Sequence, residues 1–147
     1  MKRYAMLFAF TASLVTAFHI GSAAADVRIA GDRGGAVSAY VHKYKALAAA
    51  GERLIIDGTC LSSCTLFTGI VPRDHVCVTS RAELGFHAAS YYNDASRTFE
   101  PTVGGTRVVM RIYPPAIRAY IERHGGLTPE LMMMRGADLA ALYPTCR

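Results

Sequence analysis

Apolar and polar residues alternate over Asp26, Val27, Arg28, Ile29 and Ala30, the two-residue period of a half-buried strand. Gly31, Asp32, Arg33, Gly34 and Gly35 end that strand in a glycine-rich turn. Val37, Tyr40, Val41, Tyr44, Leu47 and Ala48 then recur at helical spacing, and Gly51 supplies the stop signal. Leu54, Ile55 and Ile56 form a short continuous apolar run, read as a buried strand that Asp57, Gly58 and Thr59 break. Small residues leading to Leu66 and Phe67 open a helix that ends near Gly69. Strand, turn, helix, strand is a βαβ unit, so the pattern predicts an α/β fold with a parallel sheet and helices on its faces.

Further along, residues 75–79 and 82–87 read as two more strands, the second ending in His87. Residues 88–105 are polar and irregular, a long loop in which Tyr91 and Tyr92 are placed to line a cleft. Residues 107–113 and 115–124 have helical apolar faces, broken at Pro114 and Pro115 and stopped by Gly125 and Gly126. Thr128 and Pro129 are expected to start a third helix carrying Leu131, Met132, Met133 and Met134, and a last short helix is expected over residues 138–142. The methionines fill core in this reading, with a partner-binding face as the alternative.

Ahead of this pattern, Lys2 and Arg3 precede an apolar run over residues 5–17, and Gly21, Ser22, Ala23, Ala24 and Ala25 follow with small side chains. Such a segment reads as a secretory signal peptide over residues 1–25, leaving residues 26–147 as one domain. An uncleaved anchor is the rival, but the run is short for a membrane span. The expected location is periplasmic or secreted, with no membrane association after cleavage. The net charge of +5 includes the leader's Lys2 and Arg3. Arg28, Arg53, Arg73, Arg107 and Arg123 are scattered without a run, which suits a solvated surface and argues against a nucleic-acid groove.

Cys60, Cys64, Cys77 and Cys146 make an even count, and export makes two disulfides the default. The spacing leaves three pairings. Cys60 with Cys77 and Cys64 with Cys146 is preferred, because Cys60 and Cys64 around one helical turn lie too far apart to bridge. A metal site from Cys60, Cys64, His75 and Cys77 ranks below the disulfides, since the short paired spacings of zinc modules are missing.

The turn from the second strand into the next helix carries the candidate chemistry. Ser62 and Ser63 there either cap the helix or present an activated hydroxyl where backbone N–H groups favour negative charge. Gly34 and Gly35 either supply positive φ for a turn or let backbone amides approach a substrate oxygen. His87, at the C-terminal end of a strand, stands at the edge where parallel sheets assemble sites.

Taken together, Gly34, Gly35, Ala36 and Val37 before a helix, Gly58 to Cys64 opening the next, and Leu84, Gly85, Phe86 and His87 closing a strand resemble the Clp protease and crotonase superfamily. Within it, the chain is similar to the exported bacterial branch, in order over residues 27–143. The resemblance implies a ClpP/crotonase-like fold of stacked βαβ units with a mainly parallel sheet and C-terminal helices. It implies Ser62 as nucleophile, His87 as its base, and the backbone amides of Gly35 and Ser63 as the oxyanion hole. The family's third, acidic residue falls on Leu131 to Met134, where no carboxylate stands, and Asp138 aligns beyond that position.

The expectation is therefore a periplasmic serine hydrolase or peptidase-like protein, without a cofactor, acting on a peptide or ester, with a homo-oligomer admitted. A non-catalytic exported binding or structural protein on the same fold is the alternative. Crotonase-like chemistry on coenzyme A thioesters is the third reading, disfavoured by the leader.

Overall fold

A computed structural model describes residues 25–147, so the expected leader, except its last residue Ala25, lies outside the described residues. The sheet is built on β2 (Arg53–Leu61), which pairs in parallel with β1 (Asp26–Asp32) along one edge. Its other edge carries two strands in succession: Leu54 to Ile56 pair with β3 (Val76–Val78), and Thr59 to Leu61 pair with β4 (Glu83–Phe86), both parallel. On the far side of β4 lies β7 (Met132–Arg135), antiparallel. The fold is mixed α/β with a largely parallel sheet, as the βαβ pattern requires.

The expected break at Asp57, Gly58 and Thr59 is instead a bend within β2. Between Ile29 and Gly31 the β1 register shifts, so that Ala30 of β1 faces both Asp57 and Gly58. A Cβ on Gly58 would stand 1.9 Å from the Ala30 carbonyl oxygen, so only glycine permits this approach. At the same bend the buried Asp57 carboxylate accepts hydrogen bonds from Thr79 Oγ1 at 2.7 Å, Arg81 Nη2 at 2.5 Å and Arg28 Nη1 at 2.6 Å. These donors, Thr79 first, pull its pKa down to about 2. Asp57 thereby ties β1 and the link from β3 to β4 to the point where β2 changes partner.

Helix α1 (Val37–Ala50) buries Tyr44 and Leu47, and Gly51 closes it in the left-handed conformation the stop signal implied. After β2 the chain passes through a 3-10 turn over Ser62–Leu66 into the short α2 (Phe67–Ile70). The helices α3 (Val103–Ile112) and α4 (Pro115–Arg123) contribute Val109, Ile117, Tyr120 and Ile121 to the core around Leu54, Ile56, Leu84 and Phe86. The last helix, α5 (Ala137–Ala140), adds Leu139.

Three expectations are corrected. Residues 131–134 are not a helix: Met132 to Arg135 form β7, because the outer edge of β4 needs a partner and four residues gain more from its ladder than from one helical turn. Met134, opposite Leu84, is fully buried there. The stretch 88–105 is not a loop but a hairpin of β5 (Ser90–Asn93) and β6 (Thr98–Pro101) followed by the start of α3 at Val103. Gly104 and Gly105, at the end of the expected loop, lie inside α3, where a Cβ on Gly105 would stand 2.7 Å from Thr102 Cγ2.

The third correction concerns sulfur. The disulfides are Cys60–Cys64 and Cys77–Cys146, not the preferred Cys60–Cys77 and Cys64–Cys146. Cys60 ends on an extended strand and Cys64 lies past the turn, so the chain folds back and their Cα atoms are 5.3 Å apart. The α-helical geometry that disfavoured this pair does not exist between them. With all four thiols bonded to each other, the alternative metal site with His75 has lost its thiolate ligands.

Candidate active site

Ser62 follows the extended Leu61 directly and takes φ of +56°, in the left-handed region. Among the described residues only Ser62 and Arg97 do so without being glycine. Ser62 caps nothing, since the 3-10 turn has no side-chain cap. Its conformation is held from several sides. The Cys60–Cys64 bridge closes the chain across Leu61, Ser62 and Ser63. Tyr44 of α1 donates to the Cys64 carbonyl at 2.7 Å. Thr65 Oγ1 donates to the Ser62 carbonyl at 2.6 Å and lies 2.6 Å from the Tyr113 hydroxyl. Because the Thr65 proton is committed to Ser62, Tyr113 must donate to Thr65. Burial pushes the Tyr113 hydroxyl pKa up to about 12, which keeps it a donor across the working range.

The glycine pair packs onto this turn. Gly34 has φ of +82°, and a Cβ there would lie 2.6 Å from Leu61 O, 2.7 Å from Ser62 Cβ and 2.9 Å from Ser63 N. Both of the glycine's properties, positive φ and lack of a side chain, are therefore used at one position. Ser63 Oγ donates to the Gly35 carbonyl at 2.7 Å, fastening the loop to the turn. On the other side Asp32 accepts from Gly34 N at 2.8 Å and from the Tyr40 hydroxyl at 2.5 Å, with Lys43 at 3.5 Å. Burial opposes the Asp32 charge, but the bonds from Tyr40 and Gly34 and the nearby Lys43 outweigh it and lower the pKa. The Gly35 N–H itself makes no hydrogen bond with another described residue.

His87 follows the last residue of β4 and is half-buried. Its Nδ1 lies 2.7 Å from the Ala88 carbonyl oxygen. A carbonyl can only accept, so Nδ1 carries the hydrogen and the neutral ring keeps its lone pair on Nε2. The Ala88 segment is itself fixed: Ala88 N donates to Thr128 O at 2.6 Å, and Ala89 N donates to Thr106 Oγ1 at 3.0 Å.

Ser62, Ser63, His87, Arg33, Gly34 and Gly35 line one cavity of about 450 Å³. Phe99, Val109 and Tyr113 supply apolar wall. Thus the four residues singled out from the sequence, Ser62, His87, Gly35 and Ser63, border a common space, although Ser62 Oγ and His87 make no direct hydrogen bond. No Asp or Glu is among the lining residues, and Asp138 sits away on α5. Tyr91 and Tyr92 do not line the cavity. Both are half exposed: Tyr91 faces the opposite side of the hairpin from Phe99, whereas Tyr92 pairs with Phe99 across the hairpin and packs edge-on against it, leaving Phe99 to supply the wall.

Nothing in the residue pattern marks the Ala88 carbonyl, since every residue has one. Thr65, Thr106 and Tyr113 were equally silent, because hydroxyl partners distant in the chain leave no spacing pattern. Among the described residues no helix is long and apolar enough to cross a membrane. In comparison with known proteins, no family model and no curated protein matches the chain.

Proposed function

We propose that the protein is an exported serine hydrolase, acting on a peptide or an ester and resembling the Clp and crotonase superfamily in the stacking of its βαβ units. One observation carries the reading. Ser62 is held in a costly left-handed conformation at the end of β2, in the same cavity as a histidine whose Nδ1 is engaged by a carbonyl. A simple cap or surface serine has no need of that backbone geometry.

The chemistry follows from these atoms. Ser62 Oγ attacks the substrate carbonyl carbon while His87 Nε2 takes its proton. The substrate oxygen becomes an oxyanion facing the amides of Gly35 and Ser63, whose loops the Ser63 Oγ bond keeps together. The tetrahedral intermediate collapses, His87 hands the proton to the departing amine or alcohol, and water repeats the sequence to release the acyl group. The Ala88 carbonyl holds the imidazole in the tautomer an acidic third residue would enforce, without that residue's negative charge. A rate below that of a full triad follows. The two disulfides favour an oxidising compartment, the periplasm or the exterior.

The absence of a Ser62–His87 hydrogen bond favours a second reading, an exported binding protein that keeps the cavity. A fluorophosphonate probe separates the two. Hydrolase chemistry gives a labelled protein whose label is lost in Ser62→Ala and retained in Ser63→Ala. Failure of the wild type to label at any pH favours binding.

A further inference from the structure

Beyond the residues that face a substrate, a line of hydrogen bonds leads from His87 away from the cavity to α3. His87 Nδ1–H donates to the Ala88 carbonyl at 2.7 Å. The same peptide unit continues as the Ala89 N–H, which donates to Thr106 Oγ1 at 3.0 Å. Thr106 Oγ1 in turn donates to the Thr102 carbonyl at 2.8 Å. The Thr106 proton is thereby spent on Thr102, so its oxygen is left as an acceptor aimed at Ala89. Every donor and acceptor in the row points the same way, and bonds in such a row polarise one another. The next peptide is fixed too, with Thr102 N donating to Ala89 O at 2.8 Å.

We infer that Thr106 is a positioning residue for His87: its hydroxyl, acting through the Ala88–Ala89 peptide, orients the carbonyl that holds hydrogen on Nδ1. The catalytic meaning of this rests on the hydrolase reading, whereas the tautomer itself does not. A peptide plane turns as a unit, because its six atoms are coplanar. Fixing the Ala89 N–H therefore fixes the direction of the Ala88 C=O, and with it the acceptor His87 sees. No carboxylate lines the cavity to share that task. Removing the hydroxyl frees the plane to rotate, and the imidazole gains access to the other tautomer, with hydrogen on Nε2 and no lone pair toward Ser62. Thr106 N–H still bonds Thr102 O at 3.0 Å, so α3 keeps its first turn when the side chain is changed.

The experiment compares wild type with Thr106→Val, Thr106→Ala and Thr106→Ser. Two readouts are taken on the purified protein: the ring-nitrogen chemical shifts of His87 in ¹⁵N-histidine-labelled samples, assigned with His87→Gln, and the second-order rate of fluorophosphonate labelling. Wild type and Thr106→Ser show the Nδ1–H form. Thr106→Val and Thr106→Ala show a mixture with Nε2–H and label about tenfold more slowly, part of what a correctly held general base contributes. Using two hydroxyl-free variants guards against a folding defect in either. Nε2–H in wild type overturns the inference, and so do wild-type shifts and rates in both hydroxyl-free variants. A tautomer change in a protein that never labels supports the positioning role and sinks the hydrolase reading alone.

Discussion

Replacing Ser62 by glycine should make the protein more stable while abolishing its proposed chemistry. The residue sits at φ of +56°, where an L side chain meets its own backbone. That conformation costs about 1–2 kcal/mol for a residue with a Cβ. Glycine adopts it freely but carries more freedom in the unfolded chain, which takes back roughly 0.5–1 kcal/mol. The Ser62 side chain offers little to lose, since its Oγ makes no hydrogen bond with the described residues, whereas its backbone carbonyl keeps the bond from Thr65 in any variant. At the middle of both ranges the net gain is about 0.75 kcal/mol, equivalent to a rise in Tm of roughly 3 °C for a domain of this size. The sharpest comparison is Ser62→Gly against Ser62→Ala, because both lack the hydroxyl and only one keeps the Cβ. Urea and thermal unfolding with the disulfides intact supply the numbers, and fluorophosphonate labelling confirms that both variants are silent. A Ser62→Gly protein no more stable than Ser62→Ala would show that no strain is held at this turn, and the main support for an activated serine would go with it.

Two other perturbations test the frame around the site. Asp57, with its pKa lowered to about 2, stabilises the fold fully above the ordinary carboxylate pKa of about 4 and loses that contribution as pH falls through about 2. The stability difference between wild type and Asp57→Asn should therefore shrink steadily from pH 5 to pH 2 in chemical unfolding curves; a constant difference would mean that the arginines and Thr79 do not hold the charged form. Removing the Cys77–Cys146 bridge by a double serine substitution opens a link between residues 69 apart in sequence, a loss of about 4 kcal/mol by loop entropy against about 2 kcal/mol for the Cys60–Cys64 ring. Unfolding midpoints of the two double mutants decide it, and the reverse order would show that the short ring, not the long one, limits stability.

Periodicity made β1, α1, β3, β4, α3 and α4 legible, because each buries one side or both and so writes its period into the sequence. The hairpin escaped for the opposite reason: β5 is exposed nearly throughout, so nothing in Ser90, Tyr91, Tyr92 and Asn93 alternates between core and water. The methionine run was ambiguous by composition, and a neighbouring strand edge decided it. The sulfur pairing departs from expectation because a spacing of four residues suggests a helical turn, whereas the chain there reverses from a strand. Of the site, side chains with recognisable chemistry could be named in advance, and Ser62, His87, Gly35 and Ser63 do border one cavity. What secures them could not be read, since the Ala88 carbonyl and the Thr65–Tyr113 pair work through the backbone or across 48 residues of chain.

Segments distant in the chain close the sheet. Val78 of β3 exchanges hydrogen bonds with the backbone of Pro144 and Cys146, and β4 receives β7 only once Met132 to Arg135 exist. During vectorial synthesis, both strands therefore emerge with bare polar edges and wait for partners made more than 45 residues later. Such edges recruit other extended segments, so a nascent chain stalled before residue 132 would be sticky, and productive folding waits until that strand has been made.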